Sequence, residues 1–543
     1  MEMAVGNSRL DGTGRNTFPP VRFCLLIMNQ TVGTTRKLIF ISPDQLNPDS
    51  PALRGADPNR DLIVLGESRT EATRFPFHIQ RMTLIFSAMR HRAEVLREDG
   101  FRVDYQSITD EGPDALDGIL LDAIQRHQPA RVCMTRPNRF DLIDAFERIA
   151  DEACLPLEYV EDTHFLTSPE EFAVWAEGRK TLVMEHFYRA KRKETGYLMN
   201  GNEPAGGEWN FDGDNRQSFG KNGPGLKVEP LRFEPNTITR KTIQDLQSAL
   251  PDLPGSAASF GWPVTPEQAR QVLDHFIEHR LPDFGRWQDA MWTDEPWLFH
   301  SLISPAINLQ LLDPREAIEA AETAYRNGKA PLNAVEGFIR QILGWREFIR
   351  GIYWLEGPGY GNRNALGAER ELPEFFWGED TDMICVNQVV KQVLEHGYAH
   401  HIQRLMVTGL YALVSGTDPW AIHSWYMGLF VDSYDWVTLP NTIGMSQFAD
   451  GGVVGTKPYI ASGQYVDRMS NYCASCRFNP KHASEEDACP ITTMYWSFLM
   501  EHEDRLAANR RMKYQVANLR RKSSDEREAI LRRRDAWFDS ITN

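Results

Sequence analysis

"KLIFISPDQL" (Lys37–Leu46) decides the fold. An apolar run of strand length ends in Ser-Pro-Asp, a turn signal. Four runs of the same kind follow: "DLIVLGE", "FRVDYQ", "ARVCMTRP" and "PLEYVED". Between them, apolar residues recur with a 3.6 period over Phe77–Glu98, Asp114–His127 and Arg139–Ala153. Strand and helix in alternation predict an α/β unit with a parallel, doubly wound sheet. No G-x-G-x-x-G follows the first strand, so the dinucleotide fingerprint is absent.

Outward from this core, residues 1–36 show no periodicity and are rich in Gly, Asn, Thr and Arg. They are expected to be disordered, or to precede a true start at Met28. The α/β unit spans 37–165. Residues 166–255 are loop-rich, and "GNEPAGGEWNFDGDNRQSFGKNGPG" (Gly201–Gly225) predicts a long ordered connector. From Pro266 the pattern is helical: Pro266–His279, Pro314–Asn327, Leu332–Trp354, Met383–Gly397, Ala399–Val414, Pro419–Phe430 and Thr493–Arg520. An all-helical domain over 256–505 and a basic helix or tail over 506–543 complete the expected organisation.

At 543 residues the chain is too long for one core. No apolar run reaches membrane-spanning length. The net charge of −16 argues, taken alone, against a nucleic-acid partner. Yet "FYRAKRK" (Phe187–Lys193) and Arg510–Arg534 are basic, and a local basic face binds phosphates even on an acidic protein. Arg189, Lys191 and Arg192 are the residues of interest; the plain alternative is a solvated helix face. "VRFCLLIM" (Val21–Met28) lacks a small-residue cleavage site, so a reduced, cytoplasmic protein is expected.

In such a protein, clustered cysteines are metal ligands before they are disulfides. "NYCASCRFNPKHASEEDACP" (Asn471–Pro490) carries three of the seven, as C-x₂-C-x₁₂-C. Cys133 and Cys154 adjoin strands and read as small buried residues. Two ligand sets remain. Cys385, Cys473, Cys476 and Cys489 would make an all-thiolate site for iron–sulfur or zinc. Cys473, Cys476, His482 and Cys489 would make a Cys₃His zinc site. Spacing does not choose between them.

Further stretches carry a resemblance: "LFHSLISPAINLQLL" (Leu298–Leu312), "EGFIRQILGWREFIRGIYW" (Glu336–Trp354), "GYAHHIQRLMVTG" (Gly397–Gly409), "LFVDSYDWVTLPNTIGMSQFADGG" (Leu429–Gly452) and "KPYIASGQYVDRMSNYCASC" (Lys457–Cys476). Together, from about Lys37 to about Arg505, the chain resembles the photolyase/cryptochrome superfamily, in the branch of bacterial iron–sulfur (6-4) photolyases and cryptochromes. The resemblance implies an α/β antenna domain, a long linker and an all-helical domain holding FAD. It implies a 4Fe–4S cluster on Cys385, Cys473, Cys476 and Cys489, leaving His482 a bystander.

It also implies roles. Ser301 and Ser304 match positions on the flavin pyrophosphate, and the helix that follows suits an anion. Trp345, Arg346 and Glu347 match a helix lining the cavity. Asp432 and Asn441 lie where the superfamily wraps the ribose and N5 edge, although this chain has "LPN" in place of "ANN". His401 matches the histidine that protonates a (6-4) lesion, and an ordinary imidazole pKa would let it carry charge at neutral pH. The second histidine of eukaryotic enzymes, four residues on, is Leu405 here. Gln341 and Tyr459 match groups that meet the flipped bases. Trp425 and Trp377, with Tyr426 and Tyr434, are candidates for electron transfer to the flavin. Glu71 and His78 match the pocket of a 6,7-dimethyl-8-ribityllumazine antenna. The implied function is blue-light repair of (6-4) photoproducts by a monomer on UV-damaged DNA. The rivals are a cryptochrome photoreceptor with the same cofactors and a zinc-bound nucleic-acid module.

Overall fold

The computed structural model describes residues 35–542. The expectations for the segment before them, Met28 and Cys24 included, lie outside the described residues. The first unit is a five-stranded parallel sheet of order β3-β2-β1-β4-β5. Its strands are β1 (Lys37–Phe40), β2 (Asp61–Gly66), β3 (Arg102–Gln106), β4 (Val132–Thr135) and β5 (Leu157–Val160). Each matches one apolar run of the sequence. In register, Leu38 lies opposite Leu62 and Val132.

The period of two divides the sheet between two cores. Leu38, Phe40, Leu62, Val64 and Met134 face one way, against helices Leu116–His127 and Phe140–Glu152. Ile39, Ile63, Leu65 and Cys133 face the other way and join the core of the helical half. Both faces are covered, as near-continuous apolar strands require.

Helix Ile79–Glu98 fastens the two halves. Gln80, fully buried, donates through Nε2 to the carbonyls of Ser256 and Glu395 at 2.8 Å, and its Oε1 accepts from Trp262 Nε1 at 3.0 Å. Arg74 grips Asp435 through both oxygens, at 2.9 and 2.6 Å. The linker carries helices of its own at Pro169–Ala176, Met184–Thr195 and Thr237–Ala249. Its Gly-rich connector is pinned by Asn215, fully buried, whose Nδ2 donates to Asn333 O at 2.8 Å.

Two expectations for this region fail. "FYRAKRK" is not a phosphate-binding face. Arg192 is fully buried and donates to the carbonyls of Tyr197, Leu198 and Trp209. Lys191 is buried on Leu166 O and Glu194, and Arg189 pairs with Glu185. Cys154, expected to be a small buried residue, is exposed at φ 53° and is not among the free thiols.

The helical half follows the predicted pattern with one systematic departure. Leu332–Trp354, read as a single helix, is α-helical to Ile339, π-helical over Arg340–Arg346, then α-helical over Glu347–Glu356. Ala399–Val414 has a π-helical segment at Arg404–Thr408, and another spans Pro440–Ser446. Thr493–Arg520 is three helices rather than one: Pro490–Glu501, Glu503–Ala508 and Lys513–Arg520.

Two helices approach closely at Gly285. A Cβ there would sit 2.5 Å from Ala334 Cα and 2.9 Å from Asn215 Oδ1. Backbone, not a flexible side chain, would have to yield. Gly285→Ala is therefore expected to cost about 1–3 kcal/mol, the usual range for overpacking, read as a lower melting temperature with unchanged far-UV circular dichroism.

Candidate functional site

The site is built on one carboxylate. Asp432 is nine-tenths buried, in the turn after helix Pro419–Leu429. Arg404 reaches both its oxygens, at 2.9 and 3.0 Å. Ser304 Oγ donates to Oδ2 at 2.8 Å, and Asn308 Nδ2 donates to the Asp432 carbonyl at 2.8 Å. Arg404 also donates to Ala399 O at 2.7 Å and lies over the Phe430 ring at 4.2 Å. The sequence reading picked out Asp432 and Ser304 but missed Arg404 and Asn308. Arg404 stands three residues after His401, one helical turn on, which was the available signal.

The Ser304 hydroxyl is thus given to Asp432. The helix it opens, Ser304–Asn308, is barely one turn long and offers no developed dipole, contrary to expectation. Ser301, half-buried, stays in the preceding loop. That loop is unusual in another way. Leu298, Leu302 and Gln310 all sit at positive φ, at 40°, 60° and 62°. Bulky residues avoid this region, and such strain clusters where a backbone is shaped around a ligand.

His401 begins the helix that continues into Arg404. His401 is exposed at its accessible surface, although protein atoms crowd around the ring. Desolvation, then the Arg404 charge, pushes its pKa down to about 4. The expectation that it carries charge at neutral pH does not hold in this environment. His400 is buried, and neither ring nitrogen has a partner. It stacks on His300 at 4.4 Å, the planes 13° apart, and His300 Nε2 is also unpartnered.

The π segments hold the other wall residues. Trp345 is half-buried; Gln341 is exposed and donates to Gly337 O at 3.0 Å. Asn441 donates to Val437 O at 2.8 Å. Arg346 has a structural place: it pairs with Glu347 at 2.6 Å and lies over the rings of Phe165 and Trp436. Glu347 in turn accepts from the amides of Leu166 and Thr167 at 2.9 Å, tying the linker to this helix. π-bulges gather at functional sites, and each of these three carries a residue singled out for the flavin wall or stands next to one.

Trp425 is fully buried and donates to Phe376 O at 2.8 Å; its ring meets Phe376 edge-on at 5.2 Å and Tyr426 at 5.2 Å. Tyr426 OH donates to Arg404 O at 2.8 Å. Trp377, 41% exposed, follows Phe376. Aromatic side chains thus run from the surface to the Arg404–Asp432 pair. Tyr434, buried beneath Arg81, has a hydroxyl without a partner. Tyr459 is half-buried on the stretch after Gly455.

The four cysteines converge. Burial pushes the Cys385 thiol up, and Cys489, Cys473 and Cys476 raise it further. Cys473 is driven to about 12 by burial, with Cys489, Asp467 and Cys476 adding to it. Cys489 caps helix Pro490–Glu501, where the Ile491 and Thr492 amides face its sulfur. His482 instead pairs with Asp487 at 2.7 Å. Among the described residues no three Cys, His, Asp or Glu side chains close up around a single metal ion.

In the α/β unit, His78 is not available to a ligand. It is fully buried, accepts from Gln80 N at 3.0 Å and bonds Leu394 O at 2.9 Å. Glu71 pairs with Arg139. A different group stands out at the point between β1 and β4 where the strand order reverses, the usual ligand position in such sheets. Burial and the nearby Asp162 push Asp44 up to about 6. Asn138 and Gln310 both donate to Asp162, at 3.2 and 2.8 Å.

With this geometry in view, the relatives are informative. The chain is 46% identical to the "(6-4) photolyase" of Agrobacterium fabrum over 506 residues, 93% of this chain and 99% of that protein. It belongs to the photolyase/cryptochrome superfamily, in the branch of the bacterial (6-4) photolyases. Residues 39–262 match the family described as deoxyribodipyrimidine photo-lyase-related protein. A solved class III photolyase from Agrobacterium tumefaciens superposes with a TM-score of 0.55 at 16% identity, covering 95% of this chain and all of that one. The Synechocystis sp. PCC6803 cryptochrome gives 0.53 at 13% identity, covering 87% and 93%. At these identities the two structures establish the shared fold.

Membership implies FAD, and the photolyase wall fits it. Buried polar atoms without partners, on His400, His300 and Tyr434, stand with a strained loop and three π segments around Asp432. Uncompensated atoms of this kind are rare unless a ligand or water answers them.

The electrostatics make a direct prediction. Arg404 is the one charge that holds His401 down, so Arg404→Gln should raise the His401 pKa from about 4. Imidazole NMR titration reads this. An unmoved titration would assign the depression to burial alone.

Proposed function

We propose that the protein is a light-driven (6-4) photolyase, a carbon–carbon lyase that restores (6-4) photoproducts in DNA. What carries the reading is the 46% identity along almost the whole of a relative bearing that name. FAD, when bound, supplies the electron released by blue light. The residues of this chain do the rest. Asp432, held by Arg404 and Asn308, presents a fixed carboxylate to the cofactor, with Ser301, Trp345 and Asn441 as further wall contacts. Gln341 and Tyr459, one exposed and one half-buried, serve the bases swung out of the duplex. Trp377, Trp425 and Tyr426 form the route by which the flavin is refilled. The protein is read as a cytoplasmic monomer.

His401 moves the proton. With a pKa near 4 it is neutral at rest. It becomes an acid only when negative charge builds beside it, on the lesion. The yield of repair should therefore rise as pH falls from about 8 to about 6, because the protonated fraction of a depressed histidine grows in that direction. His401→Ala should keep its flavin yet lose at least ~10²-fold in quantum yield on a (6-4) oligonucleotide, and its pH profile should be flat. His400→Ala should do less, since His400 precedes the helix in extended backbone and its buried ring is stacked on His300. Near wild-type yield in the flavin-loaded His401→Ala protein would move the acid elsewhere. A cyclobutane dimer oligonucleotide is the substrate control.

The four thiols are proposed to hold a 4Fe–4S cluster. A single zinc at about 2.3 Å needs its sulfurs within roughly 3.8 Å of one another. Four thiols near enough to raise one another suit a cluster whose irons each take one sulfur. Purified protein should contain about four irons per chain, and Cys489→Ala should lose them. Stoichiometric zinc in their place would overturn the assignment. For the antenna, a lumazine chromophore fits best at Asp44, Asn138 and Asp162, with Glu71 on the Arg139 side.

A further inference from the structure

Two surface hollows share one rim. The first, about 720 Å³, lies between Arg179 and Lys180, Leu355, and the turn Gly451–Val453. The second, about 640 Å³, lies between the same Gly451, Phe448, and the segment Arg505–Arg510. Gly451 and Gly452 hold φ of 74° and 114°, so the shared rim is a turn suited to glycine, with no side chain standing above it.

The charge around the two hollows is one-sided. Arg179, Lys180, Arg505, Arg510 and Arg511 are all exposed. None lies within ion-pair distance of a carboxylate among the described residues. Three of the five are held by neutral groups: Arg179 on Trp175 O, Arg505 on Ala365 O, and Arg511 on Thr456 Oγ1 at 2.6 Å. Of the two acids lining the hollows, Glu356 is already paired with Arg363; Glu177 alone opposes the five cations. On a chain of net charge −16 this is a local reversal of sign. The first hollow also exposes Val174, at 73%, and Leu355, at 41%, an apolar surface beside free cations. Thr456, which Arg511 holds, is three residues before Tyr459, so the cationic track leads to the site itself.

We propose that the two hollows are the bed for the sugar–phosphate backbone of the DNA on either side of the lesion, with the Gly451–Gly452 turn as the ridge between. The inference rests on the photolyase reading and adds the surface that carries the duplex, in place of the buried "FYRAKRK" segment. A polyanion is the occupant because the cations have no carboxylate partner and are spread over both hollows, whereas a single small anion would need them convergent and desolvated.

The test is the salt dependence of binding to a fluorescent duplex by the full-length protein, with and without a (6-4) lesion. Two double variants are compared with wild type: Arg179→Gln with Lys180→Gln, and Arg505→Gln with Arg510→Gln. Each released phosphate contact contributes about 0.9 to the slope of log affinity against log salt. Each double variant should lower the slope by about two and weaken damaged and undamaged duplex by the same factor. Arg97→Gln, on an exposed residue paired with Glu94 in the α/β unit, should leave the slope as it was. Wild-type binding and repair with unchanged slopes in either double variant overturn the two-sided bed and leave the photolyase reading intact. A wild-type protein that binds no duplex overturns both.

Discussion

The helical half turns on the pairing of Arg404 with Asp432. Four donors meet that one residue: two from Arg404, one from Ser304, one from Asn308. They come from two separate stretches of chain, and neither could hold its position alone. Taking the carboxylate out of water is expensive, and only this full set of partners compensates it. The pair thereby fixes the strained Leu298–Gln310 loop, the helix of His401 and the turn after Leu429 relative to one another. Tyr426 adds a fourth tie through the Arg404 carbonyl.

The same pairing sets the chemistry. Arg404 must be close to His401 because it is close to Asp432, and its charge then disfavours a second cation next to it. In the proposed repair step, a histidine neutral at rest would become an acid only as negative charge builds on the lesion beside it. Leu405, where eukaryotic enzymes carry a further histidine, is buried at 9% exposure and removes a competing proton site from the same helix. The stacked His300 and His400 are likewise held neutral, by burial first, to which the arginine charges nearby add, Arg280 and Arg404 at His300 and Arg404 at His400.

The sequence exposed what periodicity can express. Five strands and helices such as Pro266–His279 were legible because each buries one face, and a buried face leaves a repeat of two or 3.6. The cysteines were legible because C-x₂-C fixes two sulfurs on one turn. The π segments were not, because one extra residue per turn in "RQILGWR" or "RLMVT" leaves the apolar composition unchanged while rotating everything after it. Arg192 was misread for a different reason. Composition counts its charge, but not the three carbonyls that absorb it. His78 failed in the same manner: a helix-start histidine looks solvated until a second domain covers it. Asp44 was in plain view in "SPDQL", but its meaning came only with the strand order, which places it at the reversal between β1 and β4.

The cysteine loop follows from a constraint of the same type. Residues Phe478 to Ala488 contain no helix or strand of their own and need outside support. The last helix, Ser524–Thr542, supplies it: Trp537 meets Phe478 edge-on at 5.9 Å and reaches Tyr411 OH at 3.4 Å, while Arg533 donates to Glu486 O. The basic tail is therefore a brace, and its arginines are largely turned to local partners such as Glu503 and Glu528. Charge counted along a sequence does not separate cations that hold the protein together from cations left free. Arg520, Arg527 and Arg532 are held by acids, whereas Arg505 and Arg510, at the hollow beside Gly451, have no carboxylate partner among the described residues. On a protein of net charge −16, the proposed DNA bed needs only this local division of its cations.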